Sequence, residues 1–258
     1  MSQLTVLAEL FQGTLDHLLQ AVGGLTGSAS FLELRDRLRP RLEQCLALSL
    51  QDIGVVDVDG ESSEFWIPLS ELQALADTPF HSGVQECRRI SVELSEMIRI
   101  AFSDGSLMRR YGRLFTSCSS FWGVSSPLNR AITLDDIRSS MMAELRGVDL
   151  TLTVGAESGV TRLCICLDNV TSIMLAKEAV RSPVLRSSLL QFAVRSNPGF
   201  GDLLDRIHRT SQGYSYIAFV WARGHCRGHN FWSMWNSASD RLAQERSSED
   251  ARLFAGTM

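Results

Sequence analysis

Apolar residues at helical spacing are the most frequent pattern in the chain. Between residues 3 and 22 they recur at every third or fourth position, and Gly23-Gly24 follows directly. Such spacing places apolar side chains on one face of a helix. The same period predicts further helices at about 30–48, 84–102, 106–124 and 133–145. Pro40 should kink the second helix, since proline removes a backbone donor.

The period changes to strict alternation at two places, each of which predicts a β-hairpin. The first pairs DIGVVDV with SSEFWIPL around Asp59-Gly60, and Asp-Gly between apolar runs is a strong hairpin signal. The second pairs DLTLTV with VTRLCICL around GAESG. After Pro68 the strand cannot continue as a central one, and a short helix through about Ala76 is expected.

The last third of the chain predicts helices at about 170–181, 184–195, 201–210 and 230–247, and one late strand, YSYIAFVWA, at 214–222. Repeated strand–helix alternation is missing from this order of elements. We therefore expect an α+β fold that is mostly helical, with two β-hairpins and a late C-terminal strand. The loop SSPLN predicts a division into an N-terminal helical part, 1–126, and a C-terminal α+β part, 127–258.

Composition indicates a globular chain, with 45% hydrophobic and 21% charged residues. The net charge of −4 disfavours general electrostatic binding of nucleic acid, because no global basic field surrounds the chain. No apolar run approaches the roughly 20 residues of a membrane span. The N-terminus lacks a basic leader, and the six cysteines have no framework spacing. These features predict reduced thiols, no membrane partner and a cytoplasmic location.

The choice of basic residue is unusual, because Lys177 is the only lysine among 25 basic residues. Two explanations stay open. One is pressure on the nucleotide sequence, for example from overlapping reading frames in a compact viral genome. The other is selection against the ubiquitin acceptor. Both favour a compact-genome protein that acts inside a eukaryotic cell.

The segment RGHCRGHN at 223–230 carries the sharpest candidate chemistry. A nucleophilic Cys226 activated by His229 or His225 would make a cysteine-dependent enzyme. A zinc site would need four ligands, and the alternative set is Cys164, Cys166, His225 and His229. In the plainer interpretation the alternate cysteines pack in the core and the Gly-His loop is a solvated turn. We take the plainer interpretation and expect no catalytic residue and no cofactor, so that the chain is not an enzyme.

Arginine clusters at 35–41, 109–113 and 223–227 keep RNA binding or an assembly role as a further alternative. Arginine interleaved with Tyr or Trp can hold phosphates and stack on bases. The first cluster lies on a predicted amphipathic helix, where charges commonly form the solvated face. RNA binding is therefore not favoured over contacts with proteins.

The segment FWIPLSELQALADTP at 65–79 contains Ile-Pro, then further Leu residues, then a second Pro. It resembles the F-box-like signature of the silencing-suppressor proteins of poleroviruses. The resemblance implies a suppressor of RNA silencing that recruits a host ubiquitin-ligase subunit and directs its target to degradation. The chain would then be a non-catalytic adaptor in the host cytoplasm. The residues implied in partner binding are Ile67, Pro68, Leu69, Leu72 and Pro79.

Overall fold

The computed structural model describes residues 56–58, 62–76, 84–135, 137, 139–182, 199–222 and 231–256. The helices predicted at 3–22, 30–48 and 184–195 lie outside these residues. So does the whole RGHCRGHN segment. The division at 126 and 127 stays a prediction.

The described residues build one mixed sheet of nine strands. The strands are β1 Val56–Val58, β2 Ser62–Pro68, β3 Val84–Arg89, β4 Met97–Arg110, β5 Arg113–Phe121, β6 Gly123–Val124, β7 Arg130–Thr133, β8 Arg162–Leu167 and β9 Tyr216–Trp221. Strands β4, β8 and β9 run parallel, and β3 closes that edge antiparallel to β9. The long β4 pairs β2 and then β5 along its other edge, and β7 pairs β5.

Within the described ranges, five helices accompany this sheet: α1 Leu69–Ala76, α2 Ser140–Glu157, α3 Val170–Arg181, α4 Phe200–Ser211 and α5 Phe231–Gly256. Helices α2, α3 and α4 form the main core with one face of the sheet, to which Ala101 belongs. Helix α5 packs on the other face, where Phe102 lies 5.8 Å from Phe231 between ring centroids. The sheet is therefore buried on both faces, as parallel strands require.

Helix α5 approaches β5 closely because the strand presents serines to it. Ser117 donates a hydrogen bond to the carbonyl of Ala243, and Ser119 donates one to the carbonyl of Ser239. All four residues are buried. Small side chains with satisfied hydroxyls let the helix backbone lie near the strand without leaving polar groups unpaired. None of the helices in the described part of the chain is long and apolar enough to cross a bilayer.

The predicted mostly helical α+β class is wrong. Residues 84–102, predicted as a helix, form β3 and the first half of β4, and 106–124 form most of the β4–β5 hairpin with β6. The pattern misled because β4 is buried on both faces from Ile98 to Asp104. A strand with two buried faces shows no period-two alternation, and its apolar run can be mistaken for a helix.

The second predicted hairpin is also wrong, although the first is confirmed by the antiparallel pair of β1 and β2. DLTLTV alternates like a strand but forms the second half of α2, where Val148 and Leu152 face the core. Tertiary packing overrides the strand preference of its threonine and valine residues. The strand β9 and the helices α3, α4 and α5 confirm the predictions for those segments.

Candidate metal centre

Three carboxylates meet at one end of the parallel strands. Asp104 belongs to β4, Glu144 to α2, and Asp168 follows the last residue of β8. One oxygen from each carboxylate lies within 4.8 Å of the others. The strand register brings the two aspartates level, since Phe102 is the partner of Cys166 and each aspartate follows two residues later. We call these three residues the carboxylate cluster.

Gly105 allows α2 to bring the third carboxylate to the strand. A Cβ atom at this position would lie 2.5 Å from the carbonyl carbon of Ala143, and closer still to the backbone nitrogen of Glu144. Real Cβ atoms do not approach backbone atoms so closely, so any side chain here would displace the helix. The glycine beside Asp104 is thus a requirement of the cluster geometry.

The cluster is buried and only partly satisfied. Asp104 and Glu144 are 4% and 6% exposed, whereas Asp168 is half-buried at the solvent side. The backbone N–H of Gly105 donates to Asp104 Oδ1 at 2.6 Å. Glu144 Oε2 has no hydrogen-bond partner. A buried acceptor without a donor costs free energy, so this oxygen is suited to receive a ligand.

Burial raises the pKa of both inner carboxyl groups above their ordinary values. The negative charges of Asp168 and, for Asp104, of Asp240 on α5 raise the pKa further. Like charges in a desolvated site disfavour each other's ionisation. A cation placed among them reverses that preference, because it stabilises the ionised form of every carboxylate it touches.

The donor set selects the kind of cation. All three side chains offer oxygen, and among the residues that the structure describes no thiolate or imidazole joins them. Oxygen ligands suit the hard cations Mg²⁺, Ca²⁺ and Mn²⁺, whereas zinc favours sulfur and nitrogen. The unpartnered Glu144 Oε2 and the all-oxygen set therefore fit a hard divalent ion. The expectation that the chain has no cofactor loses its support, and the zinc alternative does not describe this cluster.

The cysteines of the zinc alternative lie in the core. Cys164 and Cys166 are fully buried on β8, between β4 and β9. Burial raises the pKa of both thiols, which keeps them protonated. His225, Cys226 and His229 lie outside the described residues, so the cysteine-enzyme alternative stays a prediction.

The residues of the F-box-like segment also lie in the core. Ile67, Leu69 and Leu72 are fully buried. Ile67 pairs with Ile98 across the β2–β4 ladder, and Pro68 is the last residue of β2 to pair, with Met97. A partner protein could reach these side chains only if the strand left the sheet. Pro79 lies outside the described residues.

The sequence contains a signal for the carboxylate cluster that the periodicity of its apolar residues did not reveal. Asp104-Gly105 interrupts the apolar run IRIAF, and Asp168 ends the apolar run CICL. Acids directly after or within buried strands are unusual, because a buried charge needs a partner. The signal was missed because residues 84–102 were predicted to be a helix, which placed no strand before Asp104.

Comparison with known proteins yields structural matches only. No protein-family model matches the chain, and no curated protein does. The solution structure of the PFV RNase H domain matches 58% of this chain and 93% of its own, at 15% identity and a TM-score of 0.43. An RNase H1 from the archaeon Halobacterium salinarum matches 58% and 97%, at 16% identity and 0.38.

A foamy viral protease-reverse transcriptase in complex with an RNA/DNA hybrid matches 57% of this chain and 20% of its own, at 15% identity and a TM-score of 0.38. These identities and scores assign no activity to the chain by themselves. The matched proteins are RNase H domains and a nucleic-acid-bound enzyme, not F-box-like proteins. The burial of Ile67, Leu69 and Leu72 overturns the silencing-suppressor resemblance, and with it the adaptor role and the ubiquitin-ligase partner that the resemblance implied.

Proposed function

We propose that the protein is a divalent-metal-dependent nuclease, which hydrolyses phosphodiester bonds in a nucleic acid. The carboxylate cluster carries the proposal: three carboxylates from three separate elements converge within 4.8 Å, and one buried oxygen has no partner. When bound there, a divalent cation supplies charge stabilisation to the phosphoryl oxygens and orients the displacement.

The three carboxylates would have different roles according to how deeply they are buried. Asp104 and Glu144, which are buried, would hold the cation from β4 and α2. The N–H of Gly105 fixes the orientation of the Asp104 carboxylate. Asp168, which is more exposed than the other two, would complete the ligand set and face the incoming phosphate. Such a division gives a preorganised site on rigid elements with one open side, as catalytic metal sites require.

The choice of substrates to assay follows from the nucleic acids bound in the matched structures. One foamy viral enzyme was solved with dsDNA and one with an RNA/DNA hybrid. We therefore start from an RNA/DNA hybrid, dsDNA, dsRNA and single strands of the same sequence. Nucleic acid replaces the host ligase as the partner under this proposal.

The experiment measures cleavage of end-labelled substrates by the full chain with Mg²⁺, Mn²⁺, Ca²⁺ or EDTA. We expect cleavage with Mg²⁺ or Mn²⁺ and none with EDTA. Asp104→Asn and Glu144→Gln should each lower the rate by about 10³-fold or more, since one buried ligand is lost. Asp205→Asn, which changes an exposed acid on α4, is the matched control and should cleave as the wild type does.

Calorimetric titration of Mn²⁺ supplies a second readout that does not depend on finding the substrate. The wild type and Asp205→Asn should bind Mn²⁺, and the two cluster variants should bind it much more weakly. The nuclease proposal is wrong if the wild type cleaves none of these nucleic acids with Mg²⁺ or Mn²⁺, and the metal site itself is wrong if the wild type takes up no Mn²⁺.

A further inference from the structure

The tip of the β4–β5 hairpin, residues 109–113, concentrates positive charge in a chain whose net charge is −4. Arg109, Arg110 and Arg113 are exposed, and Tyr111 between them is 59% exposed. In the described part of the chain, Arg109 and Arg110 have neither an ion pair nor a hydrogen bond from their side chains. On helix α5, Glu249 and Asp250 form their ion pairs with Arg246 and not with Arg109 or Arg110.

The tip is a two-residue turn whose backbone is strained at Tyr111. Arg110 pairs with Arg113, so that only Tyr111 and Gly112 form the turn. Both have positive φ, 50° and 72°. Two-residue turns of this kind favour Asn-Gly, and a bulky residue at positive φ is uncommon. An exposed tyrosine kept in such a conformation suggests that its side chain has a role outside the fold.

The hairpin projects beyond the end of the parallel strands at which the carboxylate cluster lies. Strand β8 ends at Leu167, directly before Asp168, whereas β4 continues for six residues beyond Asp104 to Arg110. At about 3.4 Å per residue, the tip lies roughly 20 Å from the cluster along the strand. A nucleic-acid duplex that advances about 3.4 Å per base pair would cover that distance in about six base pairs.

We propose that the hairpin tip binds the phosphate backbone of the nucleic acid about six base pairs from the bond that the carboxylate cluster hydrolyses. This inference rests on the proposed function. Arginine holds phosphate through charge and paired donors, and a tyrosine hydroxyl donates to phosphate oxygen. The contact would give the acidic chain its affinity for a polyanion and would fix the position of the duplex on the site.

The first test is the double variant Arg109→Gln/Arg110→Gln. Arg113 is not substituted, because its guanidinium lies 4.4 Å from the ring of Phe254 and supports α5. Each arginine that neutralises a phosphate adds about 0.9 to the slope of log affinity against log salt. The slope for the duplex should therefore fall by about 1.8 for the pair. At 0.15 M salt this corresponds to a roughly 30-fold weaker affinity, which vanishes towards 1 M.

Arg209→Gln is the matched control, since Arg209 is an exposed arginine on α4. It should bind and cleave as the wild type does. In cleavage assays the double variant should raise KM far more than it changes kcat. A further series shortens the hybrid from each end in turn. Cleavage should no longer depend on Arg109 and Arg110 once fewer than about six base pairs remain between the cleaved bond and one of the two ends. Unchanged slope and KM in the double variant would overturn the inference.

Tyr111→Asn separates binding from folding. Asparagine tolerates positive φ, so the melting temperature should stay the same or rise. Affinity for the duplex should fall roughly 10-fold, the value of one hydrogen bond to a charged group. A lower melting temperature with unchanged affinity would show that Tyr111 serves the fold and would count against the tip.

The two proposals fail in different ways. If the wild type cleaves the duplex and the tip variants match it, only the hairpin inference is wrong. If the wild type cleaves nothing, the proposed function is wrong, and duplex binding in EDTA still measures the tip through its salt slope. Wild-type binding that is equally weak at all salt concentrations would overturn the tip as a phosphate contact.

Discussion

Replacing Glu144 by Gln should make the protein more stable in cation-free buffer, although it removes the proposed activity. Glu144 is 6% exposed and its Oε2 lacks a partner. Burial, followed by the charges of Asp104 and Asp168, raises its pKa from 4.5 to about 10. Folding at neutral pH therefore requires this group to take up a proton that the unfolded chain does not hold. Glutamine has nearly the same shape as glutamic acid and never needs the proton.

The magnitude follows from the distance between the working pH and the unfolded pKa. Each pH unit of that distance corresponds to about 1.36 kcal/mol of folding free energy. An acid whose pKa is raised on folding does not destabilise the fold below its unfolded pKa of 4.5. Above that pH the loss of folding stability grows until the pH reaches the folded pKa of about 10. At pH 7 the cost is about 3 kcal/mol, and Glu144→Gln removes it. For a domain of this size that corresponds to a rise in Tm of roughly 6–12 °C.

The assay is urea and thermal unfolding in EDTA between pH 5 and pH 8. The gain from Glu144→Gln should be small at pH 5 and increase with pH. Glu157→Gln, which changes an exposed acid at the end of the same helix, should show no such trend. Added Mn²⁺ should stabilise the wild type and leave the Gln variant nearly unchanged, since only the wild type keeps the ligand. The reasoning is refuted if Glu144→Gln is no more stable than the wild type at pH 7 and pH 8 in EDTA.

Three further substitutions test the packing that holds the site. Gly105→Ala should destabilise the fold by about 1–3 kcal/mol in urea and lower cleavage, because its Cβ would overlap the backbone of α2; wild-type values for both would contradict the close approach. Ile67→Ala should cost about 2–5 kcal/mol, because the side chain is fully buried, whereas a docking residue on the surface would cost almost nothing. Glu64→Ala should cost about 3–5 kcal/mol, because it leaves the buried guanidinium of Arg99 without its carboxylate; a change below about 1 kcal/mol would show that the pair is dispensable.

Segments whose burial is one-sided could be predicted from the chain alone. Helices α3 and α4 bury one face against the core, so their apolar residues recur with the helical period. The strand β9, although buried on both faces, could also be predicted, because a short apolar run rich in aromatic and β-branched residues indicates a buried strand. In each case the local pattern and the tertiary environment agree, and local reasoning is sufficient.

The long strand β4, which is also buried on both faces, could not be predicted in this way. The pattern of β4 records contacts with α2 on one face and α5 on the other, and both lie far away in sequence. The F-box-like segment is a related case, because its Ile-Pro-Leu pattern fits either an exposed motif or a strand that ends in the core. Only the pairing of Ile67 with Ile98 decides between them.

By itself, then, the amino-acid sequence determined where the one-sided helices and the last strand lie, and that residues 109–113 are basic. The tertiary structure alone decided that Asp104, Glu144 and Asp168 form one site. Their convergence depends on the parallel register of β4 and β8 and on the close approach of α2 at Gly105. Spacing along the chain carries no information about such a register, because it is set by packing between strands about 60 residues apart.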